Sequence, residues 1–453
     1  MAVYRRTYAS YAGALTPAWS RWLVLFRYAR KNLFRFFTGA LTSSHRYAAV
    51  LDHAGEVARA VTLFEVSDYL TQILVRHPEE VACLADLGAV PSRIGSARLF
   101  ENPLLKQRNA DPAFAYVANS SVSYSEKLAR LRRHFRHRTF AIGAKDIAEL
   151  RDVYTSCAET TAAVEDAIAA ACEIADASES LAILALGRLG GSELDLISDA
   201  DLLFVCADGC ERQQLGRAVS QIVQVLAAYT RDGMIFPVDT RLRPRGGEGE
   251  LLTSAAELVR YFEQDADAWE ALTYTKLRSI AGSLAVGQAA SSAAARLFYR
   301  FASDPDFLTS VRAMRQKLEG LDSEKNFKTS AGGVYDIDFL CGSLLVKHGI
   351  GNKNGTLRDR IWRCAEAGLL SKEDSAVLDH AGELLRTVDH VVRLVLGRPF
   401  KWLPTTEHTR YAIEKLTSQI LDCEFRDGLD AQLARTCRQV REIYNRVLAG
   451  PPG

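Results

Sequence analysis

The chain has 453 residues, of which 48% are hydrophobic and 25% are charged, so it can bury several cores and is not globally disordered. Lysine and arginine number 56 and aspartate and glutamate 55, a balance that argues against a dedicated nucleic-acid binder. No run of about 18 apolar residues predicts a transmembrane helix. Nine cysteines, irregularly spaced and without a C-x-x-C pair, predict a reduced, cytoplasmic protein without a zinc site.

Residues 1–50 form a basic, aromatic segment that contains eight arginines and lysines and no acidic residue. Within 19–37 the large apolar side chains fall on one face of a helix and the basic ones on the other. The apolar face holds Trp19, Trp22, Phe26, Ala29, Leu33 and Phe37. Four uses stay open for this helix: packing on the domain behind it, contact with an anionic membrane, docking of a partner, or organelle targeting.

Helical spacing continues through residues 51–146, where Leu63, Val66, Leu70 and Leu74 recur at intervals of three and four. A second periodic run predicts a long helix from about residue 147 to 171, with Ile147, Leu150 and Val153 on its apolar side. We assign residues 147–300 to a separate domain, because the periodicity changes soon after this helix.

Short apolar runs predict buried strands at 181–186 and 202–206, and a third strand at 234–242 with an irregularity at Pro237. A helical pattern over 211–230 lies between the last two. Residues 301–453 return to helical periodicity and predict a C-terminal bundle. The expected fold class is therefore α+β and mostly helical, with a small sheet domain flanked by an N-terminal helical region and a C-terminal helical bundle.

The residue types that carry chemistry concentrate around residues 187–240. Gly190 and Gly191 follow the first strand, where glycines permit a tight turn and leave backbone N–H groups free to approach a phosphate. Asp199 and Asp201 enter the second strand two residues apart, so both carboxylates face one side, about 7 Å apart. Two such carboxylates repel each other unless a cation such as Mg²⁺ lies between them.

A third carboxylate and a cation follow on the next predicted strand. If the strands are neighbours, Asp239 completes a three-aspartate cluster able to hold Mg²⁺ against a triphosphate. Arg241 lies two residues further on and could bind a phosphate oxygen. The alternative is an acidic surface turn together with an unrelated buried ion pair between Asp239 and Arg241.

Five ordered motifs resemble the glutamine synthetase adenylyltransferases, within the DNA polymerase β-like nucleotidyltransferase superfamily. The strongest is residues 190–202, which read GGSELDLISDADL. The others are 238–244, VDTRLRP; 249–254, GELLTS; 269–278, WEALTYTKLR, which we expect to form one helix; and 332–339, GGVYDIDF. The resemblance covers about residues 60–450.

The resemblance implies transfer of AMP from ATP to a tyrosine of glutamine synthetase. It assigns Mg²⁺ binding to Asp199 and Asp201, and to Asp239 a second metal or activation of the nucleophile. ATP-binding roles fall to Gly190, Gly191, Ser192, Ser198, Arg241 and Lys276. Glutamine synthetase is the implied protein partner, and no nucleic acid is expected.

Three positions depart from the family pattern: Arg188 replaces a usual Lys, Asp338 a usual Glu, and Asp195 a common Asn or Gly. The chain also corresponds to about one of the two catalytic units that full-length members carry. Motif details favour AMP addition, whereas Lys276 favours phosphorolytic removal. Transfer to another protein, a small molecule or an RNA end, and a non-catalytic regulatory half, remain alternatives.

Overall fold

The protein, described here as a computed structural model, is mostly helical and contains one small mixed sheet. The structure describes residues 27–86, 110–177, 179–320, 326, 328–350 and 355–449. This agrees with the predicted α+β class. None of the helices in these ranges combines the length and apolarity needed to cross a membrane.

Most of the N-terminal region packs around its own apolar core, whereas the helix at 112–119 packs against the core of the sheet. Its helices are α1 Arg27–Ala40, α2 Ser44–Asp52, α3 Glu56–Val66, α4 Asp68–Arg76, a 3₁₀ helix Pro78–Asp86, α5 Pro112–Asn119 and α6 Tyr124–Glu149. Ala29, Leu33 and Phe36 of α1 are buried in this core against residues such as Phe64. The described part of the predicted basic helix therefore packs on the protein itself, while residues 19–26 lie outside the described residues.

The predicted long helix across residue 150 is wrong, because the chain turns there. Helix α6 ends at Glu149, Leu150 adopts a left-handed conformation with φ of 52°, and α7 Val153–Ile174 begins after the N-cap Asp152. The Asp152 carboxylate accepts hydrogen bonds from the N–H groups of Tyr154 and Thr155, which fixes the new helix start. Helix α6 runs across the predicted domain limit at 146/147, and the domain limits stay predictions.

The sheet contains β1 Leu181–Ala185, β2 Ala200–Cys206, β3 Val238–Asp239, β4 Leu252–Ser254 and β5 Arg278–Gly282. Strand β1 lies between β2 and β5 and is antiparallel to both. The other edge of β2 pairs in parallel with β3 near its start and with β4 near its end. Helices α8 Gly187–Gly190, α9 Arg212–Ala227, α10 Ala255–Gln264, α11 Ala268–Tyr274, α12 Leu284–Ala302 and α13 Phe307–Gly320 complete this region.

Both faces of the sheet are buried, which explains the unbroken apolar runs of β1 and β2. Ile183 and Phe204 face one core, whereas Leu184 and Leu203 face the other. Two expectations were wrong in this region. The third predicted strand is reduced to Val238–Asp239, and the predicted helix at 269–278 ends at Tyr274, so that Arg278 begins β5.

The C-terminal region is a helical bundle, as predicted. It contains α14 Val334–Lys347, α15 Leu357–Glu366, α16 Lys372–Leu396, α17 Glu407–Ile420 and α18 Leu429–Ala449. Helix α16 is central: it packs on α15, α17 and α18 and also contacts α4 and α7. It therefore joins the bundle to both preceding regions.

Candidate active site

In the glycine turn after β1, the lack of side chains permits close contacts, and the backbone N–H groups are already hydrogen-bonded. A Cβ on Gly187 would lie 2.0 Å from an Asp201 carboxylate oxygen, and one on Gly190 would lie 2.0 Å from the Lys276 carbonyl oxygen. The N–H groups of Gly190, Gly191 and Ser192 donate to carbonyl oxygens within the turn, at 2.8, 3.2 and 3.1 Å. They are not free, contrary to the expectation from the glycine pair. The half-buried Ser192, at φ of 57°, keeps its hydroxyl as a donor.

The structure brings two of the three predicted aspartates into direct register. Asp201 on β2 and Asp239 on β3 are partners in the parallel ladder, and the exposed Asp199 precedes β2 by one residue. Desolvation, together with the negative charges of Asp199 and Asp239, raises the pKa of Asp201 to about 6. Among the described residues, no Arg or Lys forms an ion pair with Asp199 or Asp201. The edge of the sheet that carries Asp199, Asp201 and Asp239, which we call the aspartate edge, is therefore suited to a bound cation.

Asp239 is engaged by Arg241. The Arg241 backbone N–H and Nε donate to the Asp239 carboxylate at 2.8, 3.0 and 2.9 Å, and this cation lowers the pKa of Asp239. The alternative predicted from sequence was a buried pair, yet the Arg241 side chain is 78% exposed. With Asp239 turned toward Arg241, oxygens of the three aspartates do not all lie within 4.8 Å of one another in the described structure.

Lys276 points to a different carboxylate. Its Nζ contacts Asp338, which also accepts from the buried Arg360, and the two cations hold the pKa of Asp338 far below its usual range. Desolvation lowers the pKa of Lys276 despite the Asp338 charge. In this structure Lys276 is thus part of an ion-pair cluster behind the aspartates.

Ser198 and Lys328 complete the surroundings. The Ser198 side chain is buried, and its hydroxyl has no hydrogen-bond partner in the described structure. Lys328 was missed by sequence reasoning because it precedes the fifth motif in a segment without periodicity. Desolvation, then the charges of Arg188 and Arg386, lower its pKa to about 8, although its side chain still reaches solvent. Its charge in turn counteracts the raised pKa of Asp201.

Comparisons with known proteins identify the family of the chain. Residues 57–293 match the sequence model of the glutamate-ammonia ligase adenylyltransferase family. The chain belongs to this family. Residues 308–448, which include most of the C-terminal bundle, match the model of GlnD PII-uridylyltransferase.

Relatives of this adenylyltransferase family cover different shares of the chain. Each is named a bifunctional glutamine synthetase adenylyltransferase/adenylyl-removing enzyme. The protein from Streptomyces avermitilis is 29% identical over 58% of this chain and 28% of its own length. Those from Cutibacterium acnes and Methylococcus capsulatus are each 28% identical, over 81% and 86% of this chain and 39% and 43% of their own lengths. The chain therefore spans less than half of these relatives.

Glu193 of the adenylyltransferase signature and the preceding Arg188 both form ion pairs with the C-terminal bundle. Glu193 is buried, accepts from the Leu357 N–H at 2.7 Å, and pairs with Arg386 of α16 at 2.9 Å. Arg188, at a position where the family usually has Lys, pairs with Asp389 one turn further along α16. These pairs attach residues 188–193, which we call the signature turn, to the C-terminal bundle.

Asp195, which replaces the common Asn or Gly, has a buried histidine as its partner. His390 of α16 lies between Asp195, at 2.7 Å from Nδ1, and Asp146 of α6, at 3.3 Å from Nε2. Burial alone would lower the pKa of His390, but the two carboxylates raise it to about 10. His390 is therefore an imidazolium at neutral pH, and it joins three regions of the chain.

Proposed function

We propose that this chain is a Mg²⁺-dependent nucleotidyltransferase that moves AMP from ATP to a tyrosine of glutamine synthetase. The observation that carries the proposal is the pairing of Asp201 with Asp239 on parallel strands, with Asp199 beside them. Family membership and the printed names of the relatives support the substrate. The near-zero net charge favours a protein target over a nucleic acid. We place the protein in the cytoplasm, where its free cysteines stay reduced.

The aspartate edge fits a divalent metal because, among the described residues, no Arg or Lys forms an ion pair with Asp199 or Asp201, while Asp239 pairs with the exposed Arg241. Asp199 and Asp201 would hold Mg²⁺, and Asp239 would hold a second ion or orient the nucleophile. When bound, Mg²⁺ neutralises charge on the triphosphate. The tyrosine oxygen bonds to the α-phosphorus, the bond to pyrophosphate breaks, and the hydroxyl proton passes to a base, for which Asp239 is suited once Arg241 releases it.

The remaining predicted residues orient the nucleotide in this proposal. Two hydroxyl donors lie within the motif at 190–202: that of Ser192, and that of Ser198, which has no hydrogen-bond partner in the described structure. Gly187 and Gly190 let Asp201 and the Lys276 backbone approach the turn, and Gly191 is buried beside them. Arg241 can exchange Asp239 for a phosphate oxygen because its side chain is exposed.

A second candidate is removal of AMP from modified glutamine synthetase by phosphorolysis, which yields ADP. Lys276 favours this direction, since Lys at that motif position resembles the adenylyl-removing unit. The relatives are named for both activities. Both directions would use the same aspartates, so the site geometry does not separate them.

Label transfer decides between the two. Purified chain, α-³²P-ATP and Mg²⁺ are incubated with glutamine synthetase of the source organism. We expect label on tyrosine, and its loss in a double variant, Asp199→Ala with Asp201→Ala. Glu126→Ala, an exposed carboxylate on α6, is the matched control. Release of ADP from AMP-modified synthetase and phosphate would assign removal instead. Inactivity in both directions would contradict the proposed target.

A further inference from the structure

A second group of metal-binding side chains lies far from the aspartates, in the N-terminal region. Glu80 and Cys83 belong to the 3₁₀ helix Pro78–Asp86, and His137 belongs to α6. Among the described residues, these three form the group of His, Cys, Asp or Glu side chains whose ligand atoms all approach within 4.8 Å. We infer that Glu80, Cys83 and His137 form a Zn²⁺ site. This inference is independent of the proposed AMP transfer.

The three ligand atoms already surround a common point. Cys83 Sγ lies 2.9 Å and Glu80 Oε2 lies 3.0 Å from His137 Nδ1, and Sγ lies 3.5 Å from Oε2. Zinc with bonds of about 2.0–2.3 Å in a tetrahedral arrangement separates its ligands by about 3.4–3.6 Å. The two distances to His137 must therefore lengthen by about 0.5 Å. The His137 side chain is 51% exposed and has room for this shift.

The local secondary structure explains why two of the ligands meet. In a 3₁₀ helix, side chains at positions i and i+3 lie directly above one another, so Glu80 and Cys83 point the same way. Arg136 donates to the other carboxylate oxygen of Glu80 at 3.2 Å, which directs Oε2 at the cluster. Such an outer contact is typical of ligating carboxylates.

The chemistry of the donors favours zinc over magnesium. A thiolate and an imidazole are ligands for Zn²⁺, whereas Mg²⁺ prefers oxygen alone. Cys83 and Glu80 are buried and Arg136 balances the Glu80 carboxylate, so a bound cation would offset the charge of the Cys83 thiolate. The exposed side of His137 gives the ion an entry path and leaves a fourth position for water. The bound ion would link two segments that lie 54 residues apart in the chain.

Cobalt substitution tests the site with a readout that does not depend on activity. The full chain is stripped with chelator and titrated with Co²⁺. We expect tetrahedral cobalt bands in the visible range and a thiolate-to-cobalt charge-transfer band in the near ultraviolet, both displaced by one equivalent of Zn²⁺. Zinc should also raise Tm. Cys83→Ser should abolish the charge-transfer band, and His137→Gln should weaken Co²⁺ binding at least tenfold.

Control variants separate this site from its competitors. Cys210→Ser changes the half-exposed thiol beside Cys206, which is a second candidate source of a thiolate signal. His380→Ala removes an exposed histidine on α16. Both should leave the spectrum unchanged, as should Asp201→Asn, because the aspartate edge supplies no sulfur. If buried Cys83→Ser does not fold, His137→Gln still decides. Absence of a thiolate band in the unsubstituted chain, or a band unaffected by His137→Gln, would overturn the inference.

Discussion

One short stretch of sequence supplies acidic side chains to two opposite environments. Glu193 and Asp195 are buried and each is matched by a cation from α16. Asp199 and Asp201 follow within eight residues, yet no described Arg or Lys pairs with them. A buried carboxylate without a cationic partner lowers the stability of the folded protein, whereas a carboxylate at a solvent-accessible edge keeps its hydration until a metal ion binds. Within this stretch, the carboxylates that pair with a cation of α16 are structural, whereas the unpaired Asp199 and Asp201 are the candidate metal ligands.

The largest expected effect comes from the unpaired side. Asp201→Asn should reduce AMP transfer on the order of 10³-fold, because it removes a principal charge that positions the metal and nucleotide. It should leave the urea midpoint unchanged or raise it, since like-charge repulsion with Asp199 and Asp239 is relieved. Initial rates and equilibrium unfolding of the same preparation measure both. More than a tenth of the activity remaining would contradict a metal-binding role.

Substitution at the paired carboxylates should lower stability, in contrast to Asp201→Asn. His390→Ala removes the cation that the buried Asp146 and Asp195 share, although Arg151 still pairs with Asp146 and Arg393 with Asp195. Removal of one partner of a buried pair costs about 3–5 kcal/mol, and we expect the lower end of this range because these two cations remain. A lower denaturant midpoint would show it. His380→Ala on the exposed face of the same helix should change stability by less than about 0.5 kcal/mol. Equal effects of the two histidines would break the comparison.

The same histidine predicts a pH dependence of stability. The pKa of His390 is about 10 in the folded protein and about 6.5 when unfolded, so the folded state binds the proton more tightly. The stabilisation is fully present below about pH 6.5 and is lost as pH rises through about 10. Thermal unfolding of the unsubstituted chain and of His390→Gln, measured from pH 6 to pH 10, should converge with rising pH. A constant difference in Tm would contradict a charged His390.

The smallest expected effect is that of replacing Arg241, whose partner Asp239 is a candidate metal ligand that is paired with a protein cation. Its exposed pair with Asp239 contributes less than about 1 kcal/mol, so Arg241→Gln should barely change stability. Because Asp239 is then released, the Mg²⁺ concentration for half-maximal rate should fall by up to about fivefold. Mg²⁺ and ATP titrations of the rate measure this. Loss of the proposed phosphate contact of Arg241 should also raise KM for ATP, and an unchanged Mg²⁺ dependence would contradict the release of Asp239.

The parts of the fold that the sequence predicted are those with long or strongly apolar patterns. Strands β1 and β2 and helix α9 have such patterns. Strand β4 is three residues long, and β5 begins with Arg278, so their pairing depends on the sheet rather than on a local signal. The turn at Leu150 was missed because a leucine at positive φ gives no sequence cue.

The candidate site was predicted in its residues more than in its contacts. The sequence brought Asp201 and Asp239 together only on the condition that their strands are neighbours, and the structure supplies that pairing. The sequence did not show that Arg241 binds Asp239, that Lys276 binds Asp338, or that the turn uses its own N–H groups. The zinc-site inference likewise needs the fold, because Cys83 and His137 share no motif. Such contacts join distant segments, and only tertiary packing determines them.

Metal binding measured directly tests the central distinction between paired and unpaired carboxylates. Mn²⁺ in place of Mg²⁺ is titrated into the chain with a non-hydrolysable ATP analogue, and free Mn²⁺ is followed by electron paramagnetic resonance. The account predicts binding by the unsubstituted chain and by Glu126→Gln and His137→Gln, and its loss in Asp201→Asn. Unchanged Mn²⁺ binding by a folded Asp201→Asn variant would contradict it.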